Sequence, residues 1–148
     1  MNPPASLATS SCVSDHPEWE LSELLLRYAF VVHEHLLRTA AAFDLTPPQG
    51  QALRLLDDPV PMGDLAQVMH CDASNITGIV DRLEARGFLE RQVDAHDRRV
   101  KRLVVTEAGH ELRQRYEERL FATFPLLNGL STSERADLSS LIRTMATA

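Results

Sequence analysis

The sequence is poor in the features that mark secreted, membrane or metal-dependent proteins. It has two cysteines, Cys12 and Cys71, in 148 residues. Two are too few for a disulfide framework, so a reducing compartment, the cytoplasm, is expected. Aromatic residues make up only 5% of the chain, so the core is expected to be aliphatic. No apolar run approaches the roughly 20 residues of a membrane-spanning helix. The first twenty residues lack the basic start and apolar stretch of a secretory signal, so no membrane partner is expected. There is no Gly-rich phosphate loop and no GxSxG elbow. The six histidines (His16, His33, His35, His70, His96 and His110) form no HxxxH or HExxH spacing. No catalytic residue, metal site or cofactor is expected, and an enzyme is the least supported class.

What is present is one domain's worth of chain with an uneven charge. Hydrophobic and charged residues, at 44% and 24%, are those of an ordinary globular protein. The net charge of -6 argues at first against a nucleic-acid partner. The distribution argues the other way. Arg91, Arg98, Arg99, Lys101 and Arg102 stand against only Asp94 and Asp97, so this short segment is +3. A local basic projection on an acidic body can still meet a phosphate backbone.

Residues 1–16 are small, polar and Pro-containing, and read as a disordered tail. From Pro17 to Phe43, Leu21, Leu24, Leu25, Tyr28, Val32, Leu36 and Phe43 follow the helical period and predict one long amphipathic helix. Thr46, Pro47 and Gln49 make a capping box that opens a second, short helix. A third helix covers about Met62 to Met69. After a break at His70-Cys71, Asp72 caps a fourth that runs to Arg86 and stops at Gly87. Its apolar set, Ile76, Ile79, Val80 and Leu83, keeps the i, i+3, i+4, i+7 pattern. Phe88 to Val93 and Val100 to Thr106 read as a β-hairpin with a long charged tip. Thr106 caps a fifth helix with the stripe Leu112, Tyr116, Leu120 and Phe124. Ser131 to Glu134 is a further capping box, and the sixth helix is expected to bury Leu138, Leu141, Ile142 and Met145.

A helix-turn-helix followed directly by a charged hairpin is a winged helix. The fold class is therefore mainly α, an α+β winged helix-turn-helix with long N- and C-terminal helices. Residues 45–106 are expected to form the DNA-binding domain. The helix at 17–44 and the helices at 107–148 carry apolar stripes that need partners, and dimerisation with a second copy of the chain supplies them.

On the fourth helix the face opposite the apolar set is small and polar. Ala73, Ser74, Asn75, Thr77 and Gly78 let a helix sit deep in a major groove, where hydroxyl and amide groups reach base edges. Arg82, one turn on, reaches a phosphate. On the hairpin tip, Asp97 and Arg99 are two apart and share a face of an extended strand. The carboxylate can orient the guanidinium for a narrow minor groove. Arg98, Lys101 and Arg102 add phosphate contacts. The blander alternatives are an ordinary polar helix face and a tip charged only for solubility.

The run DASNITGIVDRLEARGFLERQVDAHDRRVKRLVVTEAG, Asp72 to Gly109, resembles the MarR family of winged-helix transcriptional regulators. The resemblance rests on VDRLEARGFLER, then DxxDRR, then VTEAG, and extends more loosely over about residues 18–146. It implies a homodimer binding double-stranded DNA at a pseudo-palindromic operator, usually as a repressor. It implies that the helix from Asp72 enters the major groove, and that Arg99, oriented by Asp97, enters the minor groove. In some members a recognition-helix acid such as Asp81 pairs with a wing arginine. It also implies a small aromatic or anionic ligand between the dimerisation helices and the winged domain. There Tyr28, Val32, His35 and Leu36 line one side, with His35 the titratable group among them. Such a ligand acts by changing the separation of the two recognition helices, which DNA requires at about 34–36 Å.

Two alternatives stand beside this. One is a winged-helix protein-interaction module without DNA binding. The six acids and seven cations between His70 and Thr106 leave that segment only +1, which suits it. The other is a thiol-based redox-sensing regulator using Cys71, although a cysteine in a tight turn is most often a small buried residue.

Overall fold

The computed structural model describes residues 17–94 and 100–146. Helix α1 (Pro17–Ala41) leads to α2 (Pro47–Leu55), strand β1 (Val60–Pro61), α3 (Met62–Val68) and α4 (Ala73–Ala85). Strands β2 (Leu89–Val93) and β3 (Lys101–Val105) follow, then α5 (Glu107–Ala122), a 3-10 turn (Pro125–Leu127) and α6 (Thr132–Ala146). The sheet is antiparallel in the order β1-β3-β2. Leu89 pairs with Val105 and Val93 with Lys101, which fixes the register of the hairpin. Among these residues no helix is long and apolar enough to cross a membrane.

The core is aliphatic around one tyrosine. Leu53, Leu56, Ile76, Val80, Leu83, Leu89, Leu103, Leu120 and Tyr116 are fully buried. It draws on both flanks of the winged helix, since Ala40 of α1 and Leu112, Tyr116 and Leu120 of α5 belong to it. Two glycines permit this closeness. A Cβ at Gly50 would lie 2.6 Å from the Tyr116 ring, and one at Gly109 would lie 2.0 Å from the Phe88 carbonyl oxygen. Burial pushes the Tyr116 hydroxyl pKa up, with the nearby Arg54 guanidinium pulling it back.

The caps follow the sequence closely. Gln49 Oε1 accepts from the Thr46 N–H at 2.8 Å. Thr106 Oγ1 accepts from the Gly109 N–H at 3.1 Å. Glu134 Oε2 accepts from the Ser131 N–H at 2.8 Å, and the bonds from Ser131 hold this carboxyl below its ordinary pKa.

Three expectations need correction, and one strand was not expected at all. First, α1 stops before Phe43, because the Ala40 carbonyl accepts from both Phe43 N–H and Leu45 N–H around Asp44 in the left-handed region (φ 54°). Phe43 instead turns its ring edge-on to Tyr116, with centroids 5.8 Å apart. Val60-Pro61 forms an edge strand that no periodicity announces. Two residues carry no pattern, and proline is tolerated only on an edge. Second, Phe124 lies beyond α5. Pro125 pushes the residue before it to an extended conformation (φ -64°, ψ 117°), so Phe124 cannot continue the helix. Third, α6 buries nothing. Leu138 is half-buried, while Leu141, Ile142 and Met145 are exposed, because among the described residues no other element covers them.

Candidate nucleic-acid interface

The helix-turn-helix is set by a tight backbone turn. Met69 N–H bonds to the Leu65 carbonyl, Cys71 N–H to the Ala66 carbonyl, and His70 takes a left-handed φ of 49°. Cys71 is half-buried against the core, and its thiol donates to the Met69 carbonyl at 3.3 Å. That is the packing role of a small apolar residue with a weak donor. Asp72 stands in the N-cap position with extended backbone, but makes no side-chain cap hydrogen bond. The expected cap is therefore positional only, and Asp72 leaves the first-turn N–H groups of α4 unpaired by its side chain.

Helix α4 buries Ile76, Val80 and Leu83, with Ile79 half-buried. Ala73, Ser74, Asn75 and Arg82 are exposed, and Thr77 and Gly78 are half-buried beside them. Thr77 Oγ1 donates to the Ala73 carbonyl at 2.7 Å, which spends its proton and leaves its oxygen as an acceptor. Among the described residues no acid pairs with Arg82. Gly78 is the informative position. A Cβ there would meet nothing within 4 Å, so the packing of this chain does not require glycine. A glycine inside a helix costs about 1 kcal/mol relative to alanine. Gly78→Ala is expected to raise Tm by about 2–4 °C and to weaken DNA binding, with Gly78→Leu losing it. Thermal melts and filter binding check this, and a Gly78→Leu variant that binds DNA normally would overturn it.

The hairpin separates its cations into two kinds. Arg91 is locked: its side chain bonds to Glu84 and to Asp81 (2.5 Å), and its N–H bonds to Glu84 Oε1 at 3.2 Å. The expected pairing of Asp81 with a wing arginine thus falls, among the described residues, on Arg91 of β2. This clamp fixes β2 against α4. The sequence carried a signal for it, since Asp81 and Glu84 are three apart on one helix face. Arg102 bonds to Asp94 and, through Nη1, to the Pro59 carbonyl at 3.0 Å. The side chain ties β3 to the chain just before β1 and stays partly exposed. Lys101 is exposed opposite Val93. Asp97, Arg98 and Arg99 lie outside the described residues.

The four residues expected to line a ligand pocket lie along α1 in different surroundings. Tyr28 is exposed and lines an open groove of about 330 Å³ with Leu24, Arg27, Val31 and Pro125. Val32 is half-buried, and Leu36 packs against the core. His35 is engaged structurally. A carbonyl only accepts, so Nε2 carries the proton donated to the Leu120 carbonyl at 2.9 Å, and the ring meets Phe124 edge-on at 5.7 Å. His35 therefore ties α1 to the end of α5. Among the described residues no three His, Cys, Asp or Glu side chains gather to hold a metal.

The MarR family model matches residues 45–101, which run from the buried Leu45 through α4 into β3. The winged-helix segment belongs to the MarR family. "Transcriptional repressor MprA" of Escherichia coli (strain K12) is 35% identical over 83 residues, 55% of this chain and 47% of MprA. The match thus spans about half the length of that curated relative. Among solved structures, CouR bound to a 23-mer DNA duplex is 29% identical, with a TM-score of 0.73 over 95% of this chain and 99% of CouR. CouR from Rhodococcus jostii RHA1 bound to p-coumaroyl-CoA is 26% identical, with a TM-score of 0.70 over 93% of this chain and 96% of that one. The likeness in fold to CouR therefore takes in α1, α5 and α6 as well as the winged helix.

Proposed function

We propose that this protein is a homodimeric DNA-binding transcriptional regulator, a ligand-responsive repressor of a pseudo-palindromic operator, rather than an enzyme, acting in the cytoplasm. The observation that carries the reading is α4 itself: a MarR-family helix with a small, exposed first turn on the side away from the buried Ile76, Val80 and Leu83. Ala73, Ser74, Asn75, Thr77 and Gly78 read base edges in the major groove, and Arg82 contacts phosphate. Arg99 enters the minor groove with Asp97 orienting it, and Arg98 and Lys101 contact phosphates. Residues 1–16 are a tail, 17–44 and 107–148 dimerise, and 45–106 bind DNA.

Tyr28, Val32, His35 and Leu36 of α1 line one side of the ligand site. Tyr28 also borders a groove with Leu24, Arg27 and Val31, which offers an aromatic or anionic molecule an apolar wall and one guanidinium. That CouR binds p-coumaroyl-CoA supports this class of ligand. A redox role for Cys71 gains no support from its half-buried, hydrogen-bonded thiol.

The experiment is capture of genomic DNA by the purified protein, with Arg99→Ala as control. Wild-type protein is expected to enrich a near-palindromic site. The variant should weaken binding and lower the slope of log affinity against log salt by about one contact. The protein-interaction reading draws on the acid-paired Arg91 and Arg102. It predicts no salt-dependent DNA affinity, and that result would replace the regulator.

A further inference from the structure

Arg86 is the C-cap residue of α4. Its Nη1 donates to the Asp44 carbonyl at 2.5 Å and its Nη2 to the Phe43 carbonyl at 3.4 Å. The guanidinium carbon sits 4.8 Å from the centroid of the Phe88 ring. Phe43 and Asp44 form the turn that closes α1, where the negative end of that helix dipole suits a cation. Among the described residues, no other hydrogen bond joins α4 to this turn. The turn is itself held from below, with Phe43 edge-on to Tyr116 and the Arg115 guanidinium 5.7 Å from the Phe43 ring. One side chain thus spans from the end of the reading helix to the end of α1.

We propose that Arg86 is a positioning residue that sets the pose of α4 relative to α1, so that a displacement of α1 reaches the DNA-reading face through it. The inference rests on the DNA-binding dimer proposed above. α1 carries no reading residue and α4 no dimerising one, so a displacement must cross between them. The apolar core also crosses, but burial is non-directional. A planar guanidinium forked onto two carbonyls and stacked on a ring has one geometry. Losing it loosens orientation more than it costs stability.

The test places a nitroxide on Gln67→Cys, an exposed position on α3, with Cys12→Ser and Cys71→Ala in the background. Pulsed dipolar spectroscopy then reads the distance between the two winged domains of the dimer. Arg86→Ala is expected to broaden that distribution and to lower operator affinity about tenfold. The salt slope should not change, because no phosphate contact is lost. Tm should stay within about 2 °C of wild type, as for most surface substitutions. Arg86→Lys keeps one point donor without the planar stack and should fall between. A merely structural role would lower Tm and leave the folded dimer's distribution unchanged, and that result overturns the proposal. So does wild-type affinity with an unchanged distribution. If the wild-type protein selects no operator while Arg86→Ala still broadens the distances, the DNA reading fails and the positioning role stands. If the wild-type protein gives no inter-protomer distance, the dimer and this inference fall together.

Discussion

Gly109→Ala is expected to cost about 3 kcal/mol or more, lowering Tm on the order of 10 °C. Its Cβ would sit 2.0 Å from the Phe88 carbonyl oxygen and 2.6 Å from Val105 Cγ1. The oxygen cannot retreat, because it is backbone at the entry to β2 and accepts the Thr106 N–H at 3.1 Å. The first turn of α5, capped by Thr106, would have to lift off the sheet and pull Leu112 from the core. Gly63→Ala in α3 is the control. Nothing lies within 4 Å of its Cβ, so it should be neutral or stabilise by up to about 1 kcal/mol. Calorimetry of the two variants decides the matter, and a Gly109→Ala protein that melts with the wild type would refute the packing argument.

Phe30→Glu is expected to leave the monomer fold intact, abolish the dimer and reduce operator affinity on the order of a thousandfold, the scale of avidity lost with the second half-site. Phe30 is 73% exposed in the single chain. It belongs to an apolar row, Trp19, Leu26, Phe30 and Leu37, with the 7-4-7 spacing of a helix seam, and every member is exposed. α6 adds exposed Leu141, Ile142 and Met145. Apolar surface on this scale is unusual for a free monomer. Val68→Glu, on α3 and away from the row, is the matched control, since Val68 is 58% exposed. Sedimentation should give half the wild-type mass for Phe30→Glu alone. A dimer of unchanged mass would mean that the seam lies elsewhere.

The row at Trp19, Leu26, Phe30 and Leu37 also marks a limit of sequence reading. The stripe assigned to α1 from periodicity, Leu21, Leu24, Leu25, Tyr28, Val32, Leu36 and Phe43, lies on roughly the opposite face; its first four members are exposed as well, and Val32, Leu36 and Phe43 are half-buried. Both rows are regular, so periodicity alone does not say that the chain itself covers only the C-terminal part of one of them. The candidate site was more legible. Ala73, Ser74 and Asn75 lie on the exposed face of α4, as expected once Ile76, Val80 and Leu83 point inward.

The sequence by itself determined what depends on neighbours within about four residues. The α4 period, the boxes at Thr46–Gln49 and Ser131–Glu134, the Thr106 cap and the hairpin alternation all rest on local sterics and local hydrogen bonds. The tertiary structure alone decided which cations are spent and which remain available. Arg86 reaches carbonyls 42 and 43 residues away, and Arg102 reaches Pro59 across 43. Nothing in the neighbouring letters encodes such partners, because they meet only when the core brings distant turns together. The same holds for the two-residue edge strand and for Gly109, whose need to be glycine is set by a carbonyl oxygen on another element.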